Sequence, residues 1–137
     1  MAKASPLLQK PFFAPPALRQ ALAKIGLAKS ARTETMLFRQ GDPPKGVYLL
    51  ESGKVALTLT KGKTCKAFWI AEAGSVLGLP STVRNQPYSL SAKVIEPAQM
   101  VFLSRTKFRR LLLANSELCF TAVQILGAEL RSLRLVI

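Results

Sequence analysis

The sequence has no histidine and only two cysteines, Cys65 and Cys119. The first absence removes Ser-His-Asp and Cys-His catalysis, His-ligated zinc and His-ligated haem together. Two thiols so far apart cannot hold an iron–sulfur cluster, and a disulfide cannot be inferred from one pair. A reducing compartment is the simpler home. Acids are scarce: seven Asp and Glu stand against twenty Lys and Arg, a net charge of +13 over 137 residues. Glu34, Asp42, Glu51, Glu72, Glu96, Glu117 and Glu129 are scattered singly. No acid–base pair and no cupin-like metal site can be nominated from them, and the chain is expected not to be an enzyme. Long apolar runs are missing too, with nothing near the roughly 18 residues of a membrane span. Pro6, Pro11, Pro15 and Pro16 break up any secretory h-region. The acid-free first 33 residues share the composition of an organelle transit segment, but those prolines and the few serines and arginines oppose it. A cytoplasmic location is expected.

What is present is charge and a core. Nearly half of the residues are hydrophobic, enough for one domain burying roughly two-thirds of its unfolded surface. Lys3, Lys10, Arg19, Lys24, Lys29 and Arg32 all precede the first acid. A second cluster comprises Lys93, Arg105, Lys107, Arg109 and Arg110, and a third, Lys54, Lys61, Lys63 and Lys66, surrounds one turn. Such a field attracts anionic partners and equally keeps a small protein soluble. A nucleic-acid binder acting through charge alone would need stacking aromatics. Only Lys66-Ala67-Phe68-Trp69 interleaves basic and aromatic residues.

Residues 1–14 read as a flexible arm with Phe12 and Phe13 as anchors, followed by a single domain over 15–137. Pro15-Pro16 suits a helix start. Leu18, Ala21, Leu22 and Ile25 form its apolar stripe, and Gly26 is placed to end it. From Met36 the period becomes two. Val47 and Leu49, then Val55, Leu57 and Leu59, then Ala67 to Ile70, Leu90 to Val94, and Met100 and Phe102 give short strands. Lys61-Gly62-Lys63 is a hairpin signal. Gly41-Asp42-Pro43-Pro44, Ser52-Gly53, Ala73-Gly74 and Glu96-Pro97 punctuate the rest. This spacing predicts a sandwich, barrel or jelly roll. Ser104 is placed to cap a helix carrying Phe108, Leu111 and Leu112, and a last helix covers about 115–137. The final Leu135-Val136-Ile137 is apolar and would be exposed in a monomer.

Leu37-Phe38-Arg39-Gln40-Gly41-Asp42, Val47 to Val55 with Gly53, Gly74-Ser75-Val76-Leu77-Gly78, and Pro87 to Val94 leading into Pro97 together resemble the cyclic-nucleotide-binding domain of the catabolite-activator/FNR superfamily. The resemblance covers about residues 15–137. It implies an antiparallel β jelly roll with an N-terminal helix and two C-terminal helices, serving a sensory or regulatory role. It also implies a phosphate-binding cassette over Gly74–Ala92, in which an arginine pairs with the cyclic phosphate and a glutamate accepts from the ribose. Here Leu79 stands at the glutamate position and Tyr88 at the arginine position, with Ser89 alone matching. Gly78, Ser81, Thr82 and Ser89 remain as backbone and hydroxyl donors for an anion, Arg84 as a substitute cation, and Tyr88 as a phenol donor.

In regulators of this family the last helix pairs with its twin and relays pocket occupancy. Phe120, Val123, Leu126, Leu130 and Leu133 would serve such a two-fold contact, and Gly127 would allow close approach. The superfamily's helix-turn-helix would begin where this sequence stops, at Ile137, so no specific DNA reader is expected here. Two main readings result: a regulatory domain binding a cyclic nucleotide or other anion in the cassette, or a degenerate dimerisation and interaction module with no nucleotide ligand. Neither needs a cofactor or a metal.

Overall fold

The computed structural model describes residues 12–134, with side chains through residue 129. Residues 1–11 of the expected arm, the side chains of Leu130 and Leu133, and the apolar Leu135-Val136-Ile137 end lie outside the described residues. The elements run α1 (Pro16–Ile25), β1 (Leu27–Ala31), β2 (Met36–Phe38), β3 (Gly46–Lys61), β4 (Thr64–Ala71), β5 (Val76–Leu77), α2 (Leu79–Arg84), β6 (Ser91–Ser104), α3 (Arg105–Ala114) and α4 (Ser116–Arg134). All strand pairs are antiparallel, with the long strands β3 and β6 at the centre. The result is a jelly roll flanked by helices.

The strands expected at 47–50 and 54–60 are one strand, and so are those at 90–94 and 100–103. β3 and β6 pair from Gly46↔Ser104 to Thr58↔Ser91, with register shifts between Leu50 and Val55. Bulges there bend both strands together, so Ser52-Gly53 and Glu96-Pro97 act as corners rather than chain reversals. Gly53 has φ +87°, and a Cβ on it would lie 2.3 Å from the Pro97 carbonyl oxygen. Lys61 and Thr64 flank a tight hairpin in which Gly62 has positive φ, as its sequence predicts.

Bending lets one sheet bury both faces. The inside of the roll gathers Phe38, Leu50, Val55, Leu57, Trp69, Leu77, Tyr88, Val94 and Met100. The outside, beneath the helices, gathers Leu18, Leu22, Val47, Leu49, Val76, Val101, Leu103, Phe108, Leu118 and Ile125. Leu49 and Leu50, Val76 and Leu77, and Met100 and Val101 are chain neighbours divided between the two cores, as strand alternation requires.

The helices dock largely as their stripes predict, except that Ile25, expected on the buried stripe of α1, is exposed at the helix end. Leu18 and Leu22 of α1 are buried. Gly26 follows with extended backbone, and its lack of a side chain matters through crowding: a Cβ would lie 2.1 Å from Val101 Cγ1. Ser104 caps α3 by accepting from the Lys107 N–H at 3.3 Å, and Asn115 Oδ1 accepts from the Leu118 N–H at 3.1 Å to start α4. The pinned part of the chain begins ahead of the expected boundary at residue 15. Phe12 and Ala14 are buried, the Val76 N–H donates to the Phe12 carbonyl, and the Ala14 N–H donates to that of Gly74. Among the described residues no single helix is long and apolar enough to cross a membrane.

Candidate functional site

The cassette begins at β5 and turns at Gly78, whose φ of +85° and contact with the Tyr88 ring exclude any side chain. Pro80 then sits in the first turn of α2, and Asn85 ends the helix in the left-handed conformation. The chain returns through Pro87 to Tyr88, whose N–H donates to the Asp42 carbonyl and whose own carbonyl accepts from the Gly41 N–H. The Gly41-Asp42 turn therefore fixes where the Tyr88 ring enters the roll. There it stacks on Phe38, with centroids 4.0 Å apart and planes 15° from parallel.

The Tyr88 hydroxyl is fully engaged. It donates to the Gly46 carbonyl at 2.8 Å and accepts from the Lys45 and Gly46 N–H groups, each at 3.1 Å. A phenol has one donor and two acceptor sites, and all three are used. Thr82 Oγ1 donates to the same Gly46 carbonyl at 2.9 Å, and Ser81 Oγ donates to the Pro87 carbonyl at 3.0 Å. Three hydroxyls nominated as anion donors thus spend their protons on the chain itself. Burial, and secondarily Tyr88, raises the Tyr48 phenol above its ordinary pKa.

The nominated residues divide. Gly78, Ser81, Tyr88 and Ser89 line one cup inside the roll, together with Phe12, Phe38, Leu57, Pro80 and Leu90. Leu79, at the expected glutamate position, is fully buried and turns into the helix-side core. Thr82 serves to hold α2 against β3, and its carbonyl accepts from Arg105 Nε at 3.1 Å, tying α2 to α3. Arg84 is exposed on the last turn of α2 and does not line the cup. What remains of the cup is about 20 Å³, room for roughly one water. A roomier cleft of about 420 Å³ lies elsewhere, between α1 and the start of β5, with Arg19, Gln20 and Glu51 on its walls.

The residue that sequence reasoning missed is Glu129. It reaches the cup from α4, is 3% exposed, and its Oε1 has no hydrogen-bond partner among the described residues. Burial pushes its carboxyl well above the ordinary carboxylate range. The signal was in its spacing: Glu129 continues the Leu118, Ala122, Ile125 stripe at the next helical step. An acid on an apolar stripe is the anomaly.

Helix α4 also divides the nominated contact residues. Phe120 and Val123 are exposed, Gly127 has open space where a Cβ would stand, and Leu126 packs partly against the helix-side core. The basic side chains of Lys61, Lys63, Lys66, Lys107, Arg109 and Arg110 are exposed. Trp69 is buried, so the basic–aromatic stretch at 66–69 offers no open indole face.

The roll, the Gly78 turn and the short α2 define the fold class, and comparison with known proteins gives the family. The cyclic nucleotide-binding domain model matches residues 28–115, well over half of the chain. The chain belongs to the cyclic nucleotide-binding domain family. It is similar to the anaerobic regulatory protein of Bacillus subtilis, 26% identical over 119 residues covering 85% of this chain and 50% of that protein. In structure it resembles the catabolite activator protein of Thermus thermophilus, with TM-score 0.71, 24% identity, and coverage of 88% of this chain and 55% of that one. It also resembles the c-di-GMP responsive global regulator CLP of Xanthomonas campestris, with TM-score 0.68, 16% identity, and coverage of 88% and 62%. The chain spans about half the length of the curated relative it matches.

Proposed function

We propose that this chain is a non-enzymatic, cytoplasmic regulatory domain that works without a cyclic nucleotide and acts as a dimerisation and interaction module through α4. One observation carries this reading: the family's arginine position holds Tyr88, whose hydroxyl is saturated by Lys45 and Gly46 within a cup of about 20 Å³. A cyclic phosphate entering there would meet no cation among the described lining residues, and an acid, Glu129, instead. Leaving that charge unpaired would cost several kcal/mol. The anion-sensing reading would need Arg84 to swing inward from an exposed position and Tyr88 to give up three hydrogen bonds. The regulators among the relatives support the regulatory half of the proposal.

The outer face of α4 supports the dimerising half. Phe120 and Val123 lie one turn apart on it, and Gly127 leaves space for close helix approach. A second copy would meet the same face about a two-fold axis.

Thermal unfolding with cAMP, cGMP and c-di-GMP at millimolar concentration, run beside light scattering of the eluted species, tests both halves. The expected result is an unchanged Tm and a dimer insensitive to nucleotide. Ligand at 100 times its Kd would add about 2.7 kcal/mol, roughly 8 °C for a domain of this size. A shift of that kind with any of the three would overturn the nucleotide-free reading, and a monomer at micromolar concentration would overturn the dimer.

A further inference from the structure

The proposed function leaves Glu129 without a role. Its carboxyl stands where a ligand would, ringed by Phe12 ahead of α1, Phe38 of β2, Leu57 of β3, Pro80 and Ser81 of α2, and Tyr88. Oε1 has no partner among the described residues, although a buried carboxyl oxygen without one is destabilising. α4 therefore carries an unfavourable group into an apolar cup, where leucine or methionine would have filled the stripe at no such cost.

We propose that Glu129 is a proton-dependent plug: α4 closes the cup with the protonated carboxyl and releases it when the carboxyl ionises. This rests on the reading of the cup as closed to nucleotide, and it names what regulates that same site. Among the described residues, an ionised carboxylate inside the cup would have no cation to meet. Among the described lining residues Tyr88 is the only titratable group besides Glu129 itself, and its hydroxyl is held by Lys45 and Gly46. The cations of the helices packed on α4 are directed elsewhere. Arg19 of α1 stacks over Phe13, Lys24 of α1 and Arg84 of α2 are exposed, and Arg105 of α3 donates to the Thr82 carbonyl. Lys107, Arg109 and Arg110 of α3 and Glu117 of α4 are also exposed. Nothing among the described residues stabilises the charged state in the closed form, whereas water does so once the helix lifts.

The direction follows from linkage. Closed Glu129 binds its proton more tightly than open Glu129, so the open form holds fewer protons above about pH 4.5. Closure is then strongest at acid pH and weakens as pH rises, until Glu129 would ionise even in place. One proton gives at most a tenfold change in the opening equilibrium per pH unit. Because Phe120 and Val123 ride on the same helix, opening would also move the outer face.

The sole tryptophan supplies the reporter. Trp69 meets Phe12 edge-on at 5.9 Å, and Phe12 is a wall of the cup. Trp69 emission, Tm and amide exchange along α4 should be followed from pH 5 to pH 8 in the full chain and in Glu129→Gln. The wild type should open progressively as pH rises, by up to tenfold per unit, and the glutamine variant should stay closed and flat. Glu129→Leu should behave like the glutamine variant and decides the matter if the latter fails to fold. Parallel profiles in the wild type and the neutral variants, or a flat wild type, would overturn the plug. A nucleotide-induced Tm shift would remove the proposed function but leave the pH difference intact, so the two failures are distinguishable.

Discussion

Along α4, Leu118, Ala122 and Ile125 are between 2% and 6% exposed, while Phe120 and Val123 are 64% and 56% exposed. Both faces are apolar, and only one has something to pack against. The inward face meets α1, α2 and α3 and shares the core of Leu18, Val101 and Phe108. The outward face meets solvent within this chain. Burial of the inner stripe holds α4 to the roll, at roughly 1.5–3 kcal/mol for each large side chain. The outer stripe contributes nothing comparable to the monomer, and its exposed Phe120 and Val123 are the residues on which the proposed pairing of α4 rests. Apolarity alone therefore does not separate a stabilising stripe from a binding one. The position of the roll beneath it does.

The largest expected effect breaks the inner face. Ile125→Ala should destabilise the monomer by about 2–5 kcal/mol, as buried large-to-small changes do, and urea unfolding would measure it as a lower midpoint with unchanged slope. The variant should also loosen the cup, because Glu129 lies one turn further along the same face. Val123→Ala, two residues away, should change monomer stability by no more than about 0.5 kcal/mol. Equal losses at the two positions would show that both faces are buried in the protein as it exists in solution.

A smaller effect is expected where the cup meets the strand. Tyr88→Phe keeps the stack on Phe38 but leaves the Lys45 and Gly46 N–H groups without the hydroxyl they donate to. The cost should be about 1–3 kcal/mol. A loss near zero would mean that water replaces the hydroxyl, and hence that the cup is wetter than its 20 Å³ implies.

How much of this could be read in advance varied by element. Most of the α1 stripe, the hairpin at Gly62, the cap at Ser104 and the start of the last helix near residue 115 were legible because each depends on neighbours in sequence. β1 was not legible: Leu27-Ala28-Lys29-Ser30-Ala31 is exposed over its first four residues, so it has no hydrophobic alternation to find. It is a strand because β6 pairs with it from Leu27↔Phe102 to Ala31↔Ala98. The continuity of β3 and β6 was hidden for a similar reason, since a bulge at Gly53 and a turn at a glycine look alike until the partner strand is known. In the cup, the replacement of the family's arginine and glutamate was visible from the resemblance. Which way Leu79 points was not, because it depends on the twist of α2 after Gly78. Glu129 was missed because its place in the cup depends on a helix returning over the roll from forty residues further along the chain than Ser89.

The smallest effect on the monomer should produce the clearest effect on association. Phe120→Glu and Val123→Glu place charge on a face that is solvent-exposed in the single chain, so unfolding midpoints at high dilution should move by no more than about 0.5 kcal/mol. If α4 pairs with its twin, each change occurs twice across the two-fold contact and sets like charges against each other. Truncating an anchor at the centre of such an interface commonly costs 2 kcal/mol or more, about thirtyfold in the dimer dissociation constant. Gly127→Leu is the complementary probe, since among the described residues its Cβ has open space in the monomer, where a partner helix would crowd it. Sedimentation of the three variants beside wild type separates the possibilities. Dimers that weaken while the monomer stays intact make the outer face the contact, whereas dimers that persist through all three substitutions place it on another surface and leave Phe120 and Val123 for a different partner.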